Sequence, residues 1–219
     1  MFRILYMNVN IFENNELFEK AMSLIPQKRK EKIKQFQNML PARLSLGAGV
    51  LFRLMLEENG LINELEKTRY DQYGKPYLDK EDFYFNLSHS GNYAICIYGD
   101  KPVGIDLQKI KSEIPKHTKR ILSEEEKQYL ASLSENDQKI AFYRLWARKE
   151  SLIKWDGRGL RIPLVNISAI MEQTVFEENS LYFQEFNILF PEYIISICSE
   201  MDRNKVQIQD ITSNFLTKY

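Results

Sequence analysis

The chain has 219 residues, 44% of them apolar or aromatic, enough for a sizeable core in one large domain or in two halves of about 100 residues each. Lys plus Arg and Asp plus Glu both number 30, so no global field draws the protein to nucleic acid or an anionic membrane, and electrostatic recognition has to be local. Cys96 and Cys198 lie in alternating apolar stretches and read as buried thiols, the N-terminal MFRILYMNVNIF is too short for a signal peptide, and no run reaches membrane-spanning length. Together these features predict a cytoplasmic globule with no nucleic-acid and no membrane partner.

In chain order, residues 2–8 alternate as a first strand and residues 14–24 have helical spacing. Pro26 suits the first turn of a basic helix, PQKRKEKIKQFQ, where its missing N–H costs nothing. A third helix is predicted over 42–57. Leu44, Leu51, Leu54 and Met55 form its apolar face, Gly47, Ala48 and Gly49 allow a close approach, and Asn59-Gly60 ends it. YGKPY (73–77) is turn chemistry, followed by predicted strands near 83–87, 93–98 and 103–108. Ser123 to Glu126 has the capping-box pattern, and a long helix runs over about 136–155 to Asp156-Gly157. The last third reads as four strands: VNISAIM, SLYFQEFNI, YIISIC and KVQIQDI. Mixed helices and mostly sequential strands give an α+β class.

NYAICIYGD and EYIISICSE begin at Asn92 and Glu192, one hundred residues apart, and each follows a long helix at a similar offset. The spacing suggests two related halves, divided here as 1–104 and 105–219. Two unrelated strands of similar composition would look the same.

Four groups of residues could carry chemistry. In VGIDLQ, alternation places Asp106 and Gln108 side by side, an acid and an amide on one strand face. In LWARKESLIKW, Trp146, Glu150 and Lys154 share one helix face with Lys149 beside them; the plain alternative is an exposed ion pair worth roughly 0.3–0.5 kcal/mol. In NLSHSG, Ser88, His89 and Ser90 with Gly91 gather hydroxyl, imidazole and open backbone donors suited to a phosphate oxygen, although a histidine there is often only structural. Lys28, Arg29, Lys30, Lys32 and Lys34, then Arg43 and Lys75, make the best local cluster for phosphates, or else a solvated face.

The order NLSHS, VGID and WxxKESxxK, with the basic helix, Arg43 and YGKP upstream and GRGLRIPL downstream, resembles the surfactin-synthetase-type (Sfp-type) 4′-phosphopantetheinyl transferases. The resemblance covers most of residues 26–164. It implies a pseudo-dimer of two similar α+β halves in one chain, with coenzyme A in the cleft between them. The implied activity is transfer of the phosphopantetheine arm of coenzyme A to a serine of an apo carrier protein (peptidyl, polyketide or acyl), with Mg²⁺ on the pyrophosphate.

Residue by residue, the resemblance implies Asp106 and Glu150 as metal ligands, with Gln108 where many bacterial members have a second carboxylate. Glu150 would also activate the serine, and Lys154 would steady the pyrophosphate. Ser88 and His89 would hold coenzyme A phosphate oxygens; Gly74, Lys75 and Pro76 would form the adenine-side turn; Arg43, Lys32 and either Lys28 or Arg29 would meet the 3′-phosphate. Residues 111–130 would face the carrier through Ile114, Ile121, Leu122 and Tyr129, fringed by Lys116, Lys119 and Arg120. Two halves in one chain imply a working monomer. The competing expectation is a weakened relative that binds coenzyme A or an adenine nucleotide without transfer.

Overall fold

The computed structural model describes residues 1–115, 121–202 and 205–218. The chain forms two compact units, residues 1–101 with 205–219, and residues 102–204.

Unit 1 opens with strand β1 (Phe2–Asn8), followed by helices α1 (Asn15–Leu24), α2 (Gln27–Lys34) and α3 (Met39–Glu58). Asn14 caps α1 by accepting from the Leu17 N–H at 3.1 Å, as an Asn before an apolar-periodic run should. A two-strand ribbon, β2 (Arg69–Tyr70) and β3 (Pro76–Tyr77), precedes the hairpin of β4 (Tyr84–Ser90) and β5 (Tyr93–Gly99). Gly91, with φ +57°, opens the two-residue turn of that hairpin. The α3 face carrying Leu51 and Met55 packs on Leu5, Met7, Ala94 and Cys96 to form the core of the unit. Each of the leucine and methionine side chains contributes about 1.5–3 kcal/mol by leaving water. Gly47 makes this approach possible, because a Cβ there would lie 2.6 Å from Val9 Cγ1.

Unit 2 contains β6 (Gly104–Lys109), α4 (Glu124–Ala131), α5 (Glu135–Asp156), β7 (Gln173–Phe176), β8 (Asn179–Phe186) and β9 (Tyr193–Ser199). The chain then returns to unit 1 through β10 (Val206–Asp210) and α6 (Thr212–Lys218). β10 pairs parallel with β1, so the C-terminal segment completes the first unit, whereas the sequence division had assigned all of 105–219 to the second half. A parallel partner at the opposite end of the chain leaves no local trace in KVQIQDI.

The two sheets run β10-β1-β5-β4 and β6-β9-β8-β7. In each, a first strand leads into a long helix, and a later hairpin returns its second strand beside the first. β5 and β9 start at Tyr93 and Tyr193, so the repeat spaced by one hundred residues is a repeat of topology. Pairing registers align the first strands too: Leu5 lies opposite Cys96, and Asp106 opposite Ser196.

Three sequence expectations change. α3 is long and apolar enough by composition to cross a membrane, with mean hydropathy 1.4 in its most apolar window, but 67% of that window is buried inside the protein. Residues 165–171 are not a strand but a short 3₁₀ turn and loop. Their backbone is held by buried side chains, since Arg148 Nη1 donates to the carbonyls of Ala169, Ile170 and Met171 and Glu126 accepts from the Ala169 N–H. NLSHS continues β4 to Ser90, and β6, the strand after the β4–β5 hairpin, belongs to a different sheet.

Candidate active site

In unit 2, β6 turns Gly104, Asp106 and Gln108 toward α5. Gly104 permits contact between strand and helix backbones, because a Cβ there would lie 2.0 Å from the Ser151 carbonyl oxygen and 2.4 Å from the Trp155 amide nitrogen. That contact sets the depth at which Asp106 meets the helix. Asp106 is a buried carboxylate, 2% exposed, at the position where unit 1 has the core residue Leu5. A buried charge persists only when paired. Here Lys154 Nζ donates to Asp106 Oδ1 at 2.5 Å and Gln108 Nε2 to Oδ2 at 2.6 Å.

Glu150 lies one helical turn before Lys154 on the half-exposed face that also carries Trp146, as the i, i+4 spacing predicts. Its carboxyl is pushed up to about 7, first by burial and then by the like charge of Asp106, with Lys154 pulling the other way. A strongly raised acid beside a second acid is where proton transfer or metal chemistry is expected.

Among the described residues no group of three His, Cys, Asp or Glu side chains is placed to hold a metal ion. Two hard carboxylates nonetheless fit Mg²⁺, which takes one or two carboxylates and completes its shell with phosphate oxygens and water. The mutual repulsion that raises Glu150 is what a divalent cation would relieve. Gln108 donates its amide to Asp106, which leaves its carbonyl oxygen as the atom it can offer a cation.

Lys149, expected beside Glu150 on the reactive face, points into the core instead. Successive helical residues differ by about 100°, enough to turn it inward. Its Nζ, fully buried, bonds to Glu126 Oε2 at 2.5 Å and to the carbonyls of Leu164 and Ile121 at 2.8 and 2.9 Å. Glu126 closes the α4 capping box by accepting from the Ser123 N–H at 2.8 Å. One buried pair thus ties α4, α5 and the loops around 121 and 164–169 together behind the reactive face. Lys149→Met strands the Glu126 carboxylate and two carbonyls, and should cost about 3–5 kcal/mol, read as a lower denaturant midpoint.

The remaining sequence-derived residues lie in unit 1. Lys28 and Arg29, neighbours on α2, have different fates. Arg29 folds back onto α3, where its Nη1 donates to the Ser45 carbonyl at 3.3 Å and its stem fills the space left by Gly49; burial lowers its pKa from the ordinary arginine value. Lys28 stays exposed, with its ammonium 4.1 Å from the centroid of the Tyr70 ring. Both line a cleft of about 50 Å³ with Pro76, Thr68, Tyr70 and the apolar Phe52, Phe85 and Leu87. Arg43 pairs with Glu13 through Nη1, while its buried Nε has no hydrogen-bond partner among the described residues. Such an orphaned cationic donor is suited to an anion. Lys32 is exposed one turn along α2 from Lys28.

Gly74, with φ +89°, and Lys75 lie on the turn joining β2 to β3, and Pro76 opens β3. Asp71 holds it by accepting from the Tyr73 and Lys75 N–H groups, both at 2.8 Å. Ser88 is buried near the end of β4 and His89 exposed beside it. Tyr70 is the cleft residue that sequence reasoning missed; its signal was its place just before the YGKP turn.

Of the apolar residues expected to face a carrier, Leu122 is buried and Ile114, Ile121 and Tyr129 pack partly buried on the unit 2 core. Lys116, Lys119 and Arg120 lie outside the described residues.

Comparison with known proteins matches residues 102–198 to the 4′-phosphopantetheinyl transferase superfamily and residues 13–99 to the 4′-phosphopantetheinyl transferase N-terminal family. The 4′-phosphopantetheinyl transferase Sfp of Bacillus subtilis (strain 168) is 35% identical over 163 residues, covering 74% of this chain and 71% of the relative. The 4′-phosphopantetheinyl transferase gsp of Aneurinibacillus migulanus is 29% identical over 231 residues, covering 99% of this chain and 96% of the relative. In Mus musculus, the L-aminoadipate-semialdehyde dehydrogenase-phosphopantetheinyl transferase is 32% identical over 156 residues, covering 64% and 50% of the two chains. With Asp106, Glu150 and Lys154 converging inside one matched region and the basic helix and YGKP turn inside the other, the chain belongs to the 4′-phosphopantetheinyl transferase family.

Proposed function

We propose that this protein transfers the 4′-phosphopantetheine arm of coenzyme A to a serine hydroxyl of an apo carrier protein and releases adenosine 3′,5′-bisphosphate. The observation that carries the reading is the Asp106–Glu150 carboxylate pair with Lys154 at its edge, built on a position that the sister unit fills with leucine. Asp106 and Glu150, with the Gln108 carbonyl, would hold Mg²⁺, which when bound neutralises charge on the pyrophosphate. Glu150, whose carboxylate a bound Mg²⁺ would keep ionised, would take the serine proton on a carboxylate oxygen as the Oγ–P bond forms and the P–O bond to the adenosine bisphosphate breaks. Lys154 supplies the cation that steadies the departing phosphate.

In unit 1, Lys28, Lys32, Arg43 and Lys75 supply positive charge for the 3′-phosphate. The Gly74–Pro76 turn takes the adenine side, and Ser88 and His89 take phosphate oxygens. Arg29 is held by α3 and serves the fold. The carrier docks through the segment around residues 111–130, where carriers of peptide, polyketide and fatty-acid synthases are the candidate clients. The duplication within one chain supports a monomer as the working form.

The test is chromatography of a mixture of protein, coenzyme A, Mg²⁺ and apo carrier. Adenosine 3′,5′-bisphosphate released in proportion to carrier supports transfer; coenzyme A retained with no release points to a binding module. Gln108→Glu adds a charge at the cation site and is expected to lower the Mg²⁺ concentration needed for half-maximal transfer. An unchanged Mg²⁺ titration would show that position 108 does not tune the metal.

A further inference from the structure

We propose that Tyr70 is a positioning residue that holds Lys28 ready for the 3′-phosphate of coenzyme A and so sets the preference for coenzyme A over its 3′-dephospho form. The inference rests on the reading of unit 1 as the side that binds the adenosine bisphosphate. The Lys28 ammonium lies 4.1 Å from the Tyr70 ring centroid, inside the range at which a cation is drawn to the negative face of an aromatic ring. Lys28 comes from α2 and Tyr70 from β2, so the contact joins the basic helix to the ribbon that ends in the Gly74–Pro76 turn. Both residues line one cleft with Pro76, which places the cation on the wall of the space that the turn borders.

The ring matters because of what a free lysine loses on binding. An exposed lysine samples many rotamers, and gripping a phosphate freezes them. Tyr70 orders the side chain beforehand with its face and, unlike a carboxylate, leaves the charge unneutralised and available to an anion. The neighbouring Arg29 lines the same cleft but is already tied down, its Nη1 on the Ser45 carbonyl and its stem across Gly49, so Lys28 is the one of the two that the ring orders. The one acid in the cleft, Glu66, accepts from the Gln27 N–H at 3.2 and 3.3 Å and so fixes the start of α2, the helix that carries Lys28.

The experiment is steady-state kinetics with coenzyme A and with 3′-dephospho-coenzyme A, on wild type, Tyr70→Phe, Tyr70→Ala, Lys28→Met and the Lys28→Met/Tyr70→Ala pair. Tyr70→Ala is expected to raise the KM for coenzyme A roughly three- to fivefold with kcat retained, and to leave the KM for the dephospho form at its wild-type value. Tyr70→Phe, which keeps the ring, should restore the wild-type KM, and the double variant should be no worse than Lys28→Met alone. An equal KM rise for both nucleotides, or additive effects in the double variant, would overturn the proposal by showing that Tyr70 acts on the fold or independently of Lys28. A wild type that does not distinguish the two nucleotides would instead remove the underlying phosphate reading, and the proposal with it.

Discussion

Glu150→Gln is expected to cut transfer by about a thousandfold or more while making the metal-free protein more stable at pH 8. The first effect follows from losing a cation ligand and a proton acceptor in one atom change. The second follows from linkage. The Glu150 carboxyl is raised from the ordinary 4.5 to about 7, so the folded state holds its proton more tightly than the unfolded state does. The stability this contributes is complete below the ordinary carboxylate range, falls as pH rises from about 4.5 and is fully lost above about 7, on the order of 3 kcal/mol by pH 8. Glutamine is neutral throughout and escapes that loss. Thermal melts without metal should therefore coincide for the two proteins near pH 4, draw apart between about pH 4.5 and about 7 and keep a constant gap above that, with the variant melting higher; Mg²⁺ should narrow the gap by stabilising only the wild type. A variant that is less stable than wild type at pH 8 would mean that Glu150 is held by the fold and not by its reaction.

Gly104→Ala is the substitution expected to do most structural damage. Its new methyl would meet backbone atoms, the Ser151 carbonyl oxygen at 2.0 Å and the Trp155 amide nitrogen at 2.4 Å, and backbone inside α5 cannot rotate away as a side chain could. Either β6 or α5 must shift, which misaligns Asp106 with Lys154 and Glu150. The cost should exceed about 3 kcal/mol, seen as a fall in the denaturant midpoint. Transfer should be lost even in the fraction that folds. Gly74→Ala is a useful contrast, because nothing lies within 4 Å of a Cβ there and the strain is only that of its positive φ.

Local rules made part of this molecule legible. Period-two alternation put Asp106 and Gln108 on one face of β6, and the i, i+4 step put Glu150 and Lys154 on one face of α5. That the two faces meet is a long-range fact. It followed from the motif order and not from either element alone. Elsewhere the same rules misled. Residues 165–171 have the apolar density of a strand, yet their hydrogen bonds go to Arg148 and Glu126, side chains that lie distant in sequence. Lys149 and Arg29 sit one residue from reactive neighbours, but one step on a helix turns a side chain from solvent into the core. The exchange of β10 into unit 1 depends on a parallel pairing between chain ends that no local pattern encodes.

Intact-mass spectrometry of an apo peptide-synthase carrier and an apo fatty-acid carrier, each incubated with this protein, coenzyme A and Mg²⁺, tests the central claim most directly. The account expects wild type to add the mass of one phosphopantetheine arm to at least one carrier, and Glu150→Gln to add none in the same time. Both carriers unchanged by a wild type that binds coenzyme A, or equal modification by Glu150→Gln, would contradict it.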